Sequence, residues 1–283
     1  MRLFTYIKLL RPTQWLKNLM LFFPPFLGGT VFQEGLAAAG LLPFVAFCTA
    51  SSASYIVNDI ADRDRDREHP VKRFRPLPSG SVSILHASLL AAILFSSSII
   101  LAWSISGIFL LFLVGYLIIS ISYTFALKKY PVIDLFCISS GFLLRLLAGG
   151  EAFGVVVSEW LFLSVFLLAL FLSTGKRYSE KMALGEGAGA HRTSLSSYPE
   201  GFLGGVMFMT GAAVLVTYTM YVVNRHTVIL LYTVPLCCFG LLRYLFRVQS
   251  GQGGDPTESL TRDISLLCVG LLWTIMVGWG IYG

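Results

Sequence analysis

Between residues 55 and 66 the chain reads Tyr55-Ile56-Val57-Asn58-Asp59-Ile60-Ala61-Asp62-Arg63-Asp64-Arg65-Asp66. Asn58, Asp62 and Asp66 recur every fourth residue, which sets them along one side of a helix. Hard oxygens in such a row can hold Mg2+ while leaving coordination positions to water and phosphate. Mg2+ is usually bound through one or two carboxylates plus phosphate oxygens, so the row points to a metal-bridged diphosphate. The bland alternative is a solvated charge run in which Arg63, Arg65 and Arg67 merely neutralise the acids. Asn58 and Asp59 weigh against it, because they sit where an apolar run has barely ended, and polar groups at membrane depth default to function. The next segment, Glu68 to Gly80, adds Lys72, Arg73 and Arg75. Metal for a diphosphate and cations for its remaining charge would suit a polyanionic substrate. Membrane topology alone would also place three cations there. His69 reads as a loop residue, since nothing sets it against a nucleophile.

The elements that must position these groups are membrane helices. Hydrophobic residues make up 55% of the 283 and charged residues 13%, with mean hydropathy +0.75; soluble domains carry roughly 25% charged residues. That excludes an ordinary cytosolic globule, a disordered regulator and a nucleic-acid-binding domain; no nucleic-acid partner is expected. A bilayer core of roughly 30 Å takes about 20 helical residues per crossing. Apolar blocks of that size fall near 18–38, 41–60, 81–103, 107–126, 131–150, 157–175, 201–223, 227–247 and 264–282. The expectation is an all-α polytopic bundle of nine transmembrane helices, a single domain over residues 1–283. Pro24-Pro25 and Gly28-Gly29 should break or tilt the first helix. Solid apolar runs are not the alternating ten-residue segments of a strand barrel.

Lys and Arg orient the bundle. Of the 21 basic residues, 19 fall in the N-terminal stretch and in alternate loops, with Arg225 the loop cation on the opposite side. The positive-inside rule then makes the N-terminus cytoplasmic and the C-terminus external. The long loops 61–80 and 176–200 are cytoplasmic and hold most of the polar variety, so chemistry on a charged soluble molecule belongs to that face. Cys48, Cys137, Cys237, Cys238 and Cys268 lie inside apolar blocks and read as small buried hydrophobes rather than a disulfide framework or zinc site. No signal peptide is expected. Gly201 and Gly205 give the GxxxG spacing of tight helix packing.

The row Asn58-Asp59-x-x-Asp62-x-x-x-Asp66 within nine apolar helices resembles the UbiA superfamily of intramembrane prenyltransferases. Further segments look like its branch of decaprenyl-phosphate phosphoribosyltransferases. They are Arg11-Pro12-Thr13-Gln14-Trp15-Leu16-Lys17-Asn18, His69-Pro70-Val71-Lys72-Arg73-Phe74-Arg75-Pro76, Gly141 to Gly149 around Arg145, and Gly175-Lys176-Arg177-Tyr178-Ser179-Glu180. Leu184-Gly185 through His191-Arg192 to Tyr198 extends the match, which spans residues 11 to 200. Aromatic-acceptor members usually carry a second aspartate motif after the sixth helix. Here no Asp occurs between Lys176 and Glu200. Cations in place of a second acidic cluster suit a metal-free anion such as a polyprenyl monophosphate.

The resemblance implies transfer of 5-phosphoribose from 5-phosphoribosyl 1-diphosphate to a polyprenyl (decaprenyl) phosphate, at the cytoplasmic face of a bacterial inner membrane and in cell-wall biogenesis. Mg2+, with Mn2+ as a substitute, would be the cofactor. Asn58 and Asp62 would bind the metal, with Asp66 as a second or water-mediated ligand; Asp62 and Asp66 are the catalytic pair. Tyr55, one turn before Asn58, would donate to the sugar phosphate. Lys17 and Lys72 would bind donor phosphates, and Lys128 would either do the same or anchor its helix at the interface. Arg145 lies inside an apolar block, eleven residues and about 16 Å from Asp134, too far for a direct ion pair, and so is expected to act as an anion clamp. Lys176 and Arg177 would hold the acceptor phosphate or the far end of the donor. The alternative is a member moving a prenyl group from prenyl diphosphate to an aromatic acceptor, which predicts the missing second acidic motif. A transporter would need paired charges along several helices. Homo-oligomerisation is compatible with either reading.

Overall fold

The computed structural model describes residues 2–68, 70–184, 195 and 197–283, and all its regular elements are helical. In chain order these are α1 (Arg2–Leu10), a 3-10 helix (Pro12–Phe22), α2 (Phe23–Leu27), α3 (Leu36–Ala61), α4 (Arg63–Glu68), a single 3-10 turn (Lys72–Phe74), α5 (Ile84–Trp103), α6 (Gly107–Phe125), a second such turn (Leu127–Lys129), α7 (Ile133–Ala152), α8 (Glu159–Leu184), α9 (Phe202–Val223), α10 (Val228–Leu231), α11 (Thr233–Gln249), α12 (Pro256–Arg262) and α13 (Ile264–Tyr282); the 3-10 helix, without further qualification, is Pro12–Phe22. Among the described residues eight stretches are long and apolar enough to cross a membrane: α3, α5, α6, α7, α8, α9, α10 with α11, and α13. They correspond to eight of the nine expected blocks. The first block departs from expectation, as it is a 3-10 helix running into the five-residue α2 and then turns. Pro24 and Pro25 remove two amide donors, and Gly29 takes φ +80°, so no continuous α-helix can pass through. At about 2.0 Å per residue the 3-10 segment and α2 still reach roughly 30 Å, the thickness of a bilayer core.

The chain divides into two compact units. The first comprises Met1–Pro25, Thr30–Leu127 and Leu144–Val156. Three residues per turn in the 3-10 helix align Trp15, Asn18 and Leu21 on one side. That side meets a row of small polar residues on α3. Trp15 Nε1 donates to Ser52 Oγ at 2.9 Å, and Asn18 Nδ2 donates to Ser51 Oγ at 3.3 Å. Leu21 joins Phe47, Phe109, Leu113 and Ala148 in the core. The contact is close because Gly149 has no side chain: a Cβ there would lie 2.2 Å from the Leu21 carbonyl oxygen. A second cluster packs Leu77 with Leu9, Ile56 and Val82, which pins the Pro76-Leu77-Pro78 turn onto α3.

The second unit comprises Phe26–Gly29, Lys128–Leu143 and Val157–Gly283. Phe171, Met207, Tyr244 and Val248 form its core. The interruption after α2 leaves carbonyls without helical partners, and this unit supplies donors for them. Tyr282 Oη donates to the Phe26 oxygen at 2.7 Å and Arg225 Nη2 to the Leu27 oxygen at 2.6 Å. The expected tight packing at Gly201 and Gly205 is not found among the described residues. Gly201 caps α9 at φ +75°, and a Cβ on either glycine would meet nothing within 4 Å. The close approach falls one turn and a half later, where a Gly211 Cβ would sit 3.2 Å from the Phe171 ring.

The Gly149 contact generates a prediction. Gly149→Ala pushes a methyl into a backbone carbonyl that has no rotamer to change, so it should destabilise the protein by about 1–3 kcal/mol. The thermal midpoint of the detergent-solubilised protein should fall by several degrees, and an unchanged midpoint would mean that the 3-10 segment shifts without cost.

Candidate active site

The acidic row survives the joint between two helices. α3 ends at Ala61, yet the Asp62 amide donates to the Asn58 oxygen at 2.9 Å and the Asp66 amide to the Asp62 oxygen at 2.8 Å. Asn58, Asp62 and Asp66 therefore sit on successive turns of one side, as their spacing requires. Thr124 Oγ1 lies 3.5 Å from Asn58 Oδ1. The Asp62 side chain is partly exposed, whereas Asp66 and the neighbouring Asp59 are buried.

Burial of two carboxylates demands cations. Arg75 Nη1 lies 2.7 Å from Asp66 Oδ2 and 3.4 Å from Asp59 Oδ1, bridging the two. Arg11 pairs with the same Oδ1 of Asp59. Lys72 Nζ approaches Asp66 Oδ1 at 3.8 Å, and Arg65 Nη1 approaches Asp62 Oδ1 at 3.7 Å. Tyr55 places its ring beneath the Arg11 guanidinium at 5.3 Å and directs its hydroxyl to Gln14 Oε1 at 3.4 Å. Lys17 is half-buried on the 3-10 helix beside Asn18. The structure thus brings Tyr55, Asn58, Asp62, Asp66 and Lys72 together in the first unit, and it adds Arg11, Asp59 and Arg75. The Arg-Pro start of the 3-10 helix and the run of cations after Glu68 are the signals for the two arginines.

Arg145, expected as an anion clamp, lies among protein partners. It is 4% exposed, donates from Nε to Asn18 Oδ1 at 2.7 Å, and lies 4.3 Å from the Tyr116 ring centroid and 5.8 Å from that of Phe47. An amide oxygen and two aromatic faces stabilise this interior cation, which holds the 3-10 helix to α7. No group of three His, Cys, Asp or Glu side chains able to cage a metal occurs among the described residues. The Asn58–Asp62–Asp66 row nevertheless fits Mg2+, because that ion commonly takes few protein oxygens and completes its shell with water and phosphate.

The second unit holds the other expected cations. Arg177 is buried: its Nε lies 2.8 Å from Asp134 Oδ2 and its Nη1 2.7 Å from Glu180 Oε2. Asp134 also accepts the Tyr198 hydroxyl at 2.7 Å, and that hydroxyl accepts the Val132 amide at 2.7 Å. Burial, then the bond to Asp134, pushes the Tyr198 phenol well above its usual range. Lys181 completes the set by donating to the Tyr198 carbonyl. The Arg177 guanidinium, expected as a phosphate contact, is thus enclosed by Asp134 and Glu180. Lys176 is different. Its side chain is 42% exposed, and Nζ lies 2.9 Å from Asp255 Oδ2. Asp255 is fixed by capping α12 and by Gly254, where a Cβ would lie 2.4 Å from the Gly175 oxygen. Tyr244 Oη holds the same turn through the Gly254 carbonyl at 2.7 Å. Lys128 is buried at the short turn Leu127–Lys129. His69, His191 and Arg192 lie outside the described residues.

The sequence and the fold have relatives. The sequence is 36% identical over 287 residues to a decaprenyl-phosphate phosphoribosyltransferase of Corynebacterium glutamicum, covering 98% of this chain and 86% of that protein. It is 34% identical to the enzyme of the same name from Mycolicibacterium smegmatis, covering 98% and 92%. Among solved structures, a UbiA homologue from Archaeoglobus fulgidus bound to GPP and Mg2+ superposes with a TM-score of 0.74 at 24% identity, over 98% of this chain and 99% of that one. The fold is therefore shared with proteins that bind a divalent metal. Residues 22–269, from the 3-10 helix into α13, match the sequence pattern of one family: the chain belongs to the UbiA prenyltransferase family.

Proposed function

We propose that this integral, multi-pass membrane protein transfers 5-phosphoribose from 5-phosphoribosyl 1-diphosphate to a polyprenyl phosphate, decaprenyl phosphate or a close analogue, releasing diphosphate. The observation that carries the reading is the 36% identity, over nearly the whole chain, to decaprenyl-phosphate phosphoribosyltransferases. The site chemistry agrees with it. In the reaction a lipid phosphate oxygen bonds to the anomeric carbon as the bond from that carbon to the diphosphate breaks, and the electron pair leaves with the diphosphate. A transition state of oxocarbenium character is expected, as at other glycosyl centres. The nucleophile is already ionised at neutral pH, so no strong general base is required.

Bound by Asn58, Asp62 and Asp66, Mg2+ (or Mn2+) would neutralise charge growing on the leaving diphosphate. The protein's own groups do the rest. Lys72, Arg75 and Lys17 supply positive charge for donor phosphates, and Tyr55 offers a hydroxyl beside Arg11. Lys176, the partly exposed cation of the second unit, is assigned to the lipid phosphate, and Lys128 keeps its expected place among the donor-phosphate contacts. Catalysis then rests on positioning and on leaving-group stabilisation. The bacterial relatives support an inner-membrane location.

Transfer of radiolabelled phosphoribose to decaprenyl phosphate in detergent should be metal-dependent and abolished by EDTA. Asp62→Ala should lower turnover by at least about a hundredfold with an unchanged thermal midpoint. Near-normal turnover in that variant would remove the metal-ligand assignment. A lipid product formed instead from a prenyl diphosphate and an aromatic acid would replace the reaction.

The two adjacent cations should separate cleanly. Arg177→Met leaves Asp134 buried without its cation and should destabilise the protein by about 3–5 kcal/mol. Lys176→Met removes only a half-exposed pair and should leave stability within about 1 kcal/mol, while raising the KM for the lipid phosphate. Equal stability losses in the two variants would contradict this division.

A further inference from the structure

The acidic row carries more positive than negative charge around it. Among the described residues, Asp59, Asp62 and Asp66 are contacted by four cations: Arg11 on Asp59, Arg75 on Asp59 and Asp66, Lys72 on Asp66, and Arg65 on Asp62. Arg75 is the central one, since its Nη1 serves both buried carboxylates.

Nor is Arg75 loosely placed. Its amide donates to the Lys72 oxygen at 2.9 Å, and its own oxygen accepts the Ser79 amide at 3.0 Å. Leu77, two residues on, is fully buried in the cluster with Leu9 and Ile56. Arg63 Nε donates to the Leu77 oxygen at 3.4 Å and Arg67 Nε to the Pro78 oxygen at 3.3 Å, so the turn is fastened from outside as well. The loop therefore delivers one guanidinium to Asp66 in a fixed position.

A bare divalent cation approaching Asp66 would meet that guanidinium on the same carboxylate, with a cation excess around it. Like charges at such range in a partly dry site repel strongly. A diphosphate changes the balance, because it brings several negative charges that both the metal and Arg75 can share. We propose that Arg75 guards Asp66 against free metal, so that Mg2+ is admitted together with the donor's diphosphate rather than before it. Arg75 is thus a positioning residue that sets the order of binding, and its role rests on the reading of Asn58, Asp62 and Asp66 as metal ligands.

The test is equilibrium dialysis of radiolabelled Mn2+, standing in for Mg2+, against the tag-free, full-length protein in detergent, with and without saturating inorganic diphosphate. Wild type should bind Mn2+ weakly alone and at least about tenfold more tightly with diphosphate. Arg75→Gln should bind Mn2+ alone at least about tenfold more tightly than wild type, whereas Arg75→Lys, which keeps the charge, should stay near wild type. The double variant Asp59→Asn/Arg75→Gln carries the same expectation as Arg75→Gln and spares Asp59 a lost partner, should the single variant fold poorly. If both glutamine variants bind Mn2+ alone no better than wild type while the diphosphate gain persists, the metal site stands and the role of Arg75 falls. If wild type shows no diphosphate-dependent Mn2+ binding, or Asp62→Ala shows the same binding as wild type, the metal reading itself falls and takes the proposal with it.

Discussion

Asp59 and Asp66 hold their carboxylates away from water, and a carboxylate in that position is stable only beside a cation. The desolvation penalty amounts to several kcal/mol per ion and is offset only where geometry is close and further hydrogen bonds exist. Much of the first unit's local structure follows from meeting that demand. Arg75 arrives on a turn nailed down by Leu77, and Arg11 arrives from the junction of α1 and the 3-10 helix, where it adopts φ 53°. Positive φ is uncommon outside glycine. Here it redirects the chain at the residue whose side chain reaches Asp59, with Pro12 opening the next element.

The second unit answers the same demand differently. Asp134 is fully buried and takes Arg177 and Tyr198 together, so one carboxylate fastens α7, α8 and the segment that precedes α9. The cost of any lost partner would be high, and such groups make poor movable ligand contacts. Lys176 and Asp255 form the contrasting case. Both are partly exposed, so their attraction is worth about 1 kcal/mol or less. A pair that weak can yield to a substrate anion without loss of the fold, which is the ground for assigning Lys176 rather than Arg177 to phosphate in the proposed reaction.

What was legible in the sequence was local. A four-residue spacing is a property of one helix, so the row from Asn58 to Asp66 could be placed before any tertiary structure was known. Eight of the crossings were equally plain, because their apolar runs are continuous. The first block was not, since winding at three residues per turn leaves no distinct mark on an apolar stretch that also holds prolines; only the breakers themselves were visible. Long-range pairing left no trace at all. Arg177 finds Asp134 at a separation of 43 residues and Lys176 finds Asp255 at 79, so two neighbours that read as one cationic patch proved to be a neutral structural network and an exposed ion pair. The same holds for Arg145, whose partners come from the 3-10 helix and from aromatic faces on α3 and α6.

Charge balance gives these separate observations a common meaning. In the first unit cations exceed the acids they contact, a balance suited to a polyanion that carries its own metal. In the second unit Arg177 is matched by Asp134 and Glu180, and Lys176 by Asp255. A site neutralised to that degree has little to offer a diphosphate with two metals, which would require carboxylates free to bind them. It can still attract a single phosphate through an exposed ammonium that exchanges one anionic partner for another. The missing second aspartate motif is therefore more than an absence. Asp134, Glu180 and Asp255 are present in the second unit, but Arg177 and Lys176 already pair with them, an arrangement better matched to one phosphate than to a second metal-bound diphosphate.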